Sequence, residues 1–105
     1  MLENRFQKKI LDELKIIFPN AIFLKNDSSI IQGFPDLLIL NGNKWAALEV
    51  KTSRLAKVQP NQKYYIDVLD SMSYASFIFP ENEKDVLNEL QKALRIRGTT
   101  RFFRG

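Results

Sequence analysis

Asp36, Glu49 and Lys51 are the side chains of this sequence best placed to do chemistry. Gly33-Phe34-Pro35-Asp36-Leu37 is followed, across a short hairpin, by Glu49-Val50-Lys51. Alternate residues of a strand share a face, so Glu49 and Lys51 point one way while Leu48 and Val50 point the other. Asp36-Leu37-Leu38-Ile39-Leu40 reads as a buried strand, Asn41-Gly42-Asn43 as tight-turn chemistry, and Lys44-Trp45-Ala46-Ala47-Leu48 as the start of the returning strand. If Gly42-Asn43 is the loop, Asn41 pairs with Lys44 and Asp36 falls opposite Glu49. If Asn41-Gly42 is the loop, Asp36 falls opposite Ala47 and diagonal to Glu49. Both registers keep the carboxylates on one face, and only an odd-length loop or a bulge separates them.

Carboxylates opposed across a strand pair repel each other, and a divalent cation between them removes the repulsion. Few oxygen donors and open positions suit Mg²⁺ or Mn²⁺. Such an ion polarises a scissile phosphate and lowers the pKa of a bound water, while Lys51 stabilises the attacking hydroxide or the developing charge. The carbonyl of Val50, facing along the sheet edge, is a further candidate ligand. The competing reading is an ordinary strand ion pair between Glu49 and Lys51, with Asp36 merely starting a strand. Glu-x-Lys alone does not separate the two. Gly-x-Pro-Asp, the hairpin length and the same-face parity together favour phosphodiester hydrolysis.

The inventory narrows the alternatives. The chain has 105 residues, which fits one domain able to bury roughly two-thirds of its unfolded surface. It contains no Cys and no His. Thiol nucleophiles, Ser-His-Asp triads, histidine bases and Cys/His zinc sites are therefore excluded. No signal-peptide pattern and no apolar run of membrane-span length is present, and a cytoplasmic location in a prokaryote or phage-infected cell is expected.

The elements that must position these residues are legible from periodicity. Phe6, Ile10, Leu11, Leu14, Ile17 and Phe18 recur at helical spacing over residues 2–18, and Pro19 closes that helix. Residues 21–25 read as a first strand, followed by a loop containing Asn26-Asp27-Ser28-Ser29 and Gln32-Gly33. Pro60 opens a helix to about Met72 with Tyr65, Val68, Leu69 and Met72 at core spacing. Residues 74–79 form a fourth strand ended by Pro80, and residues 81–97 an amphipathic helix stopped by Gly98. The order is α-β-β-β-α-β-α, an α/β fold with a mixed sheet flanked by helices.

Net charge is +4, unevenly spread. Between Val50 and Ile66 every charged residue is basic: Lys51, Arg54, Lys57 and Lys63. From Gln91 to Gly105 the same holds for Lys92, Arg95, Arg97, Arg101 and Arg104. Basic stretches flanking the site suit a phosphate backbone, with Arg54, Lys57 and Lys63 as candidate DNA contacts. For the C-terminal run, Gln91 to Gly105, a solvated, frayed tail competes evenly with DNA binding. Phe102 and Phe103 favour docking on the core or a dimer contact over base stacking. Tyr64 and Tyr65 cannot both face the core, which leaves Tyr64 for DNA or a second subunit.

Gly33-Phe34-Pro35-Asp36, Glu49-Val50-Lys51 and Val58-Gln59-Pro60-Asn61-Gln62-Lys63-Tyr64-Tyr65 together resemble the PD-(D/E)XK nuclease superfamily, over about residues 3–79. The likeness is greatest to its virus-type replication-repair (VRR-NUC) branch. It implies a restriction-endonuclease-like core and a catalytic set of Glu3, Asp36, Glu49, Lys51 and Gln62. Tyr65 stands where that branch usually has Trp. For Glu3, a first-turn acid complementing the helix dipole is an equal alternative, and Gln62 also reads as an exposed helix residue. Small stand-alone members resemble Holliday-junction resolvases. The resemblance therefore implies a Mg²⁺-dependent endodeoxyribonuclease acting on branched DNA as a homodimer. A nicking or restriction-like endonuclease on duplex or flap DNA, and a catalytically silent DNA-binding module, are the alternatives.

Overall fold

The computed structural model describes residues 2–27 and 29–95, with side chains from Arg5 onward. Its elements are α1 (Leu2–Ile17), β1 (Ile22–Lys25), β2 (Leu37–Asn41), β3 (Lys44–Val50), α2 (Pro60–Met72), β4 (Tyr74–Ile78), one 3₁₀ turn (Pro80–Asn82) and α3 (Glu83–Ala93). The strands form one four-stranded sheet in the order β1-β2-β3-β4. β1, β2 and β3 are antiparallel neighbours, and β4 joins β3 in parallel through the α2 crossover. The sheet is therefore mixed, as the sequence order implies.

Each sheet face has its own apolar layer. Leu37, Ile39, Ala46, Leu48, Val50 and Ile78 pack with Ile10 and Leu14 of α1 and with Val86, Leu87 and Leu90 of α3. On the opposite face Ala47 and Ala75 pack with Ile66 of α2, flanked by Leu38, Trp45, Leu69 and Phe77. The small alanines let α2 approach closely, and its inward stripe becomes Gln62, Ile66 and Leu69. Met72 lies about 120° around the helix from Ile66. It is 67% exposed, against the core position its spacing predicts, and Ile66 takes the central position.

The β2–β3 turn settles the register. Asn41 pairs with Lys44 and Leu37 with Leu48, so Gly42-Asn43 is the loop. Gly42 takes φ +65 while no non-glycine residue among the described residues has positive φ, the pattern of a II′ hairpin turn. α3 is shorter than the 81–97 stretch read from the sequence. Pro80 first forms the 3₁₀ turn, in which Asn82 Oδ1 accepts the Phe79 N–H at 2.8 Å, and the α-helix starts only at Glu83. At its other end the buried Asn41 donates Nδ2–H to the Leu94 carbonyl at 2.9 Å, capping a helix whose last carbonyls lack partners. Residues 96–105, with Arg97, Arg101, Phe102, Phe103, Arg104 and the predicted Gly98 stop, lie outside the described residues.

Candidate active site

One end of the sheet collects the residues singled out above. β2 begins and β3 ends there, so Asp36 and Glu49 are the next opposed pair beyond Leu37 and Leu48. The crossover to a parallel strand makes α2 start at the same end and β4 finish there. Three connections therefore converge: residues 26–36, 51–59 and 79–82.

Asp36 is held by backbone. Its carbonyl accepts the Asn26 N–H at 2.8 Å, and its Oδ2 accepts the Val50 N–H at 2.8 Å. In a strand the N–H and C=O of one residue point the same way, so the Val50 carbonyl is also directed toward the Asp36 side. The Lys51 N–H turns the opposite way, to the Ile78 carbonyl at 2.9 Å.

Glu49 is 4% exposed, and an ionised carboxylate at that depth needs charged or hydrogen-bonding neighbours. Gln62 donates Nε2–H to Glu49 Oε2 at 3.0 Å. Lys51 Nζ lies 3.9 Å from the same oxygen. It donates to Gln62 Oε1 at 2.9 Å and to the Lys57 carbonyl at 3.0 Å. Gln62 Oε1 also accepts the Gln59 N–H at 2.9 Å, so one amide caps the first turn of α2 and bridges Glu49 to Lys51. Pro60 forces the extended conformation of Gln59 that makes this cap possible.

Gly33 is required by two features. It has φ +88, and a Cβ at this position would lie 2.6 Å from Asn61 Cγ. The glycine lets the 26–36 connection press against the first turn of α2, where the Phe34 ring meets Tyr65 edge-on at 5.5 Å. This contact sets Pro35-Asp36 beside α2. Tyr65 is half-buried in this packing, whereas Tyr64 is 61% exposed.

The fold therefore brings Asp36, Glu49, Lys51, Gln62 and the Val50 carbonyl to one end of the sheet. The sequence carries no signal for the Lys57 carbonyl as a Lys51 partner or for Asn61 as the wall behind Gly33. Arg54 and Lys57 are exposed on the 51–59 connection. Lys63 pairs with Asp67 at 2.8 Å, an acid just beyond the basic stretch. The Glu3 side chain lies outside the described residues.

Among the described residues no group of three or more His, Cys, Asp and Glu side chains is arranged to hold a metal ion. The set at this end is two carboxylates and one backbone carbonyl. All are hard oxygen donors, and they leave positions to water and phosphate, which fits Mg²⁺ or Mn²⁺. No helix among the described residues is long and apolar enough to cross a membrane.

Neither the protein-family models nor the curated protein sequences contain a match to this chain. Among solved structures, the chain is similar to Hjc from Archaeoglobus fulgidus, a Holliday junction resolvase from an archaeal hyperthermophile. The TM-score is 0.51 and the identity 17%, over 72% of this chain and 67% of that one. At this identity the likeness is one of fold: a mixed sheet flanked by helices.

Proposed function

We propose that this protein is a metal-dependent DNA endonuclease that hydrolyses phosphodiester bonds and prefers branched DNA. The observation carrying the proposal is the convergence of Asp36, Glu49, Lys51 and Gln62 at one end of the sheet. It is supported by the fold shared with a Holliday junction resolvase and by the resemblance of the same residues to the VRR-NUC pattern.

In this reading Asp36, Glu49 and the Val50 carbonyl hold Mg²⁺ or Mn²⁺, which when bound supplies Lewis acidity toward the phosphate and a more acidic water. Lys51 stabilises negative charge developing at the attacked phosphate. Gln62 fixes Lys51 against Glu49, and Glu3, at the start of α1, joins the set as the resemblance implies. Arg54, Lys57 and Lys63 engage flanking phosphates. A homodimer would present two such sites to a four-way junction, since a substrate with two-fold symmetry favours an enzyme with the same symmetry.

Asp36→Asn tests the assignment. It keeps an oxygen to accept the Val50 N–H but removes the charge. Cleavage should be lost, with binding retained or strengthened. Loss of folding and binding together would make Asp36 structural.

A further inference from the structure

Leu55 is 84% exposed, the highest value among the exposed large apolar side chains described. It occupies the third position of a tight turn in which the Ala56 N–H donates to the Ser53 carbonyl at 3.1 Å. The Leu55 N–H donates to Ser53 Oγ at 3.1 Å. Such positions favour Gly, Asn, Asp or Ser. A leucine held in water there serves neither the turn nor the core and forgoes the gain of burial.

The turn is anchored on both sides. The Arg54 N–H donates to Glu81 Oε1 at 3.2 Å, and the Lys57 carbonyl accepts from Lys51 Nζ at 3.0 Å. Leu55 is thus fixed relative to Lys51, and through Gln62 to Glu49. The exposed cations Arg54 and Lys57 flank it. Cations beside an apolar tip match nucleic acid: phosphates meet the charges, and a base face meets the leucine. Base faces are covered within a stacked duplex and become available where stacking is interrupted.

We infer that Leu55 is a wedge that packs against the face of an unstacked base next to the cleaved phosphate, selecting DNA with interrupted stacking. The inference rests on the nuclease reading of the site and names the structural feature of its substrate.

The test uses four-way junction and flap DNA carrying 2-aminopurine beside the incision position. Its fluorescence is read in EDTA at low salt, where no cleavage is needed. Wild-type protein should raise the signal, and Leu55→Ser should lose the rise. Leu55→Met should keep it, and Ile16→Ser, which removes a distant exposed apolar side chain (80% exposed), should match wild type. With Mg²⁺, Leu55→Ser should cut branched DNA more slowly by on the order of five- to tenfold, with unchanged thermal unfolding. Cleavage by wild type with no Leu55-dependent signal overturns the wedge and spares the nuclease reading. A Leu55-dependent signal without cleavage by wild type does the reverse. A changed oligomeric state in Leu55→Ser with an unchanged signal assigns Leu55 to a contact between copies and also overturns the wedge.

Discussion

Gln62 donates Nε2–H to Glu49 Oε2 at 3.0 Å while its Oε1 accepts from Lys51 at 2.9 Å. One neutral amide thereby ties the first turn of α2 to the end of β3 and spaces a buried carboxylate from an ammonium. Replacing Gln62 by Ala leaves Lys51 its Lys57 carbonyl partner and its 3.9 Å ion pair with Glu49 but removes the amide that sets their separation. Activity should fall on the order of ten- to hundredfold, with a higher half-saturating Mg²⁺ concentration, as when groups that orient metal ligands are removed. A Mg²⁺ titration of initial rates checks both; an unchanged titration would make Gln62 only a helix cap.

Gly33→Ala should destabilise the protein by about 2–4 kcal/mol, combining a positive-φ penalty with overpacking against Asn61. Chemical denaturation measures the loss. Adding Asn61→Gly should recover the packing part and leave the backbone part, so a double variant as unstable as the single one would place the whole cost in the backbone.

Tyr74 donates its hydroxyl to Glu89 Oε1 at 2.6 Å, and burial, followed by that contact, raises its pKa well above the ordinary tyrosine value. Because the folded value lies above the unfolded one, the stabilisation is fully present below pH ~10 and is lost as pH rises beyond it. Tyr74→Phe should cost about 0.5–1.5 kcal/mol at neutral pH and show a shallower fall in stability above pH ~10. Thermal melts across pH 7–11 check the sign.

DNA affinity should decline linearly on a log–log salt plot, and Arg54→Ala and Lys57→Ala should each reduce the slope by about 1. Lys63→Ala should reduce it less, because Asp67 already neutralises that ammonium at 2.8 Å. Equal effects of all three would mean that the Lys63–Asp67 pair opens on binding.

What the sequence made legible was local. Tight-turn chemistry at Asn41-Gly42-Asn43 and strand alternation put Asp36 and Glu49 on one face in either register, and Pro60 marks the start of α2; the choice of Gly42-Asn43 as the loop came from the structure. What it left hidden depends on partners far along the chain. Asn41 looked like turn chemistry, but its amide caps α3 at Leu94. Met72 fitted a helical stripe that was displaced when Ile66 settled on Ala47 and Ala75. The 3₁₀ turn at Pro80 delayed α3, and the carbonyl of Lys57 reached Lys51 through a turn whose sequence carries no signal for it.

The most direct test of the account is cleavage of labelled four-way junction, flap, single-stranded and linear duplex DNA by wild type and Lys51→Ala, each with Mg²⁺, Mn²⁺ or EDTA. Wild type should incise the junction symmetrically and only with metal, and the incision should be absent in EDTA and lost in the variant. Salt-sensitive binding without cleavage of any substrate would contradict it and make the chain a DNA-binding module that keeps the fold without the chemistry.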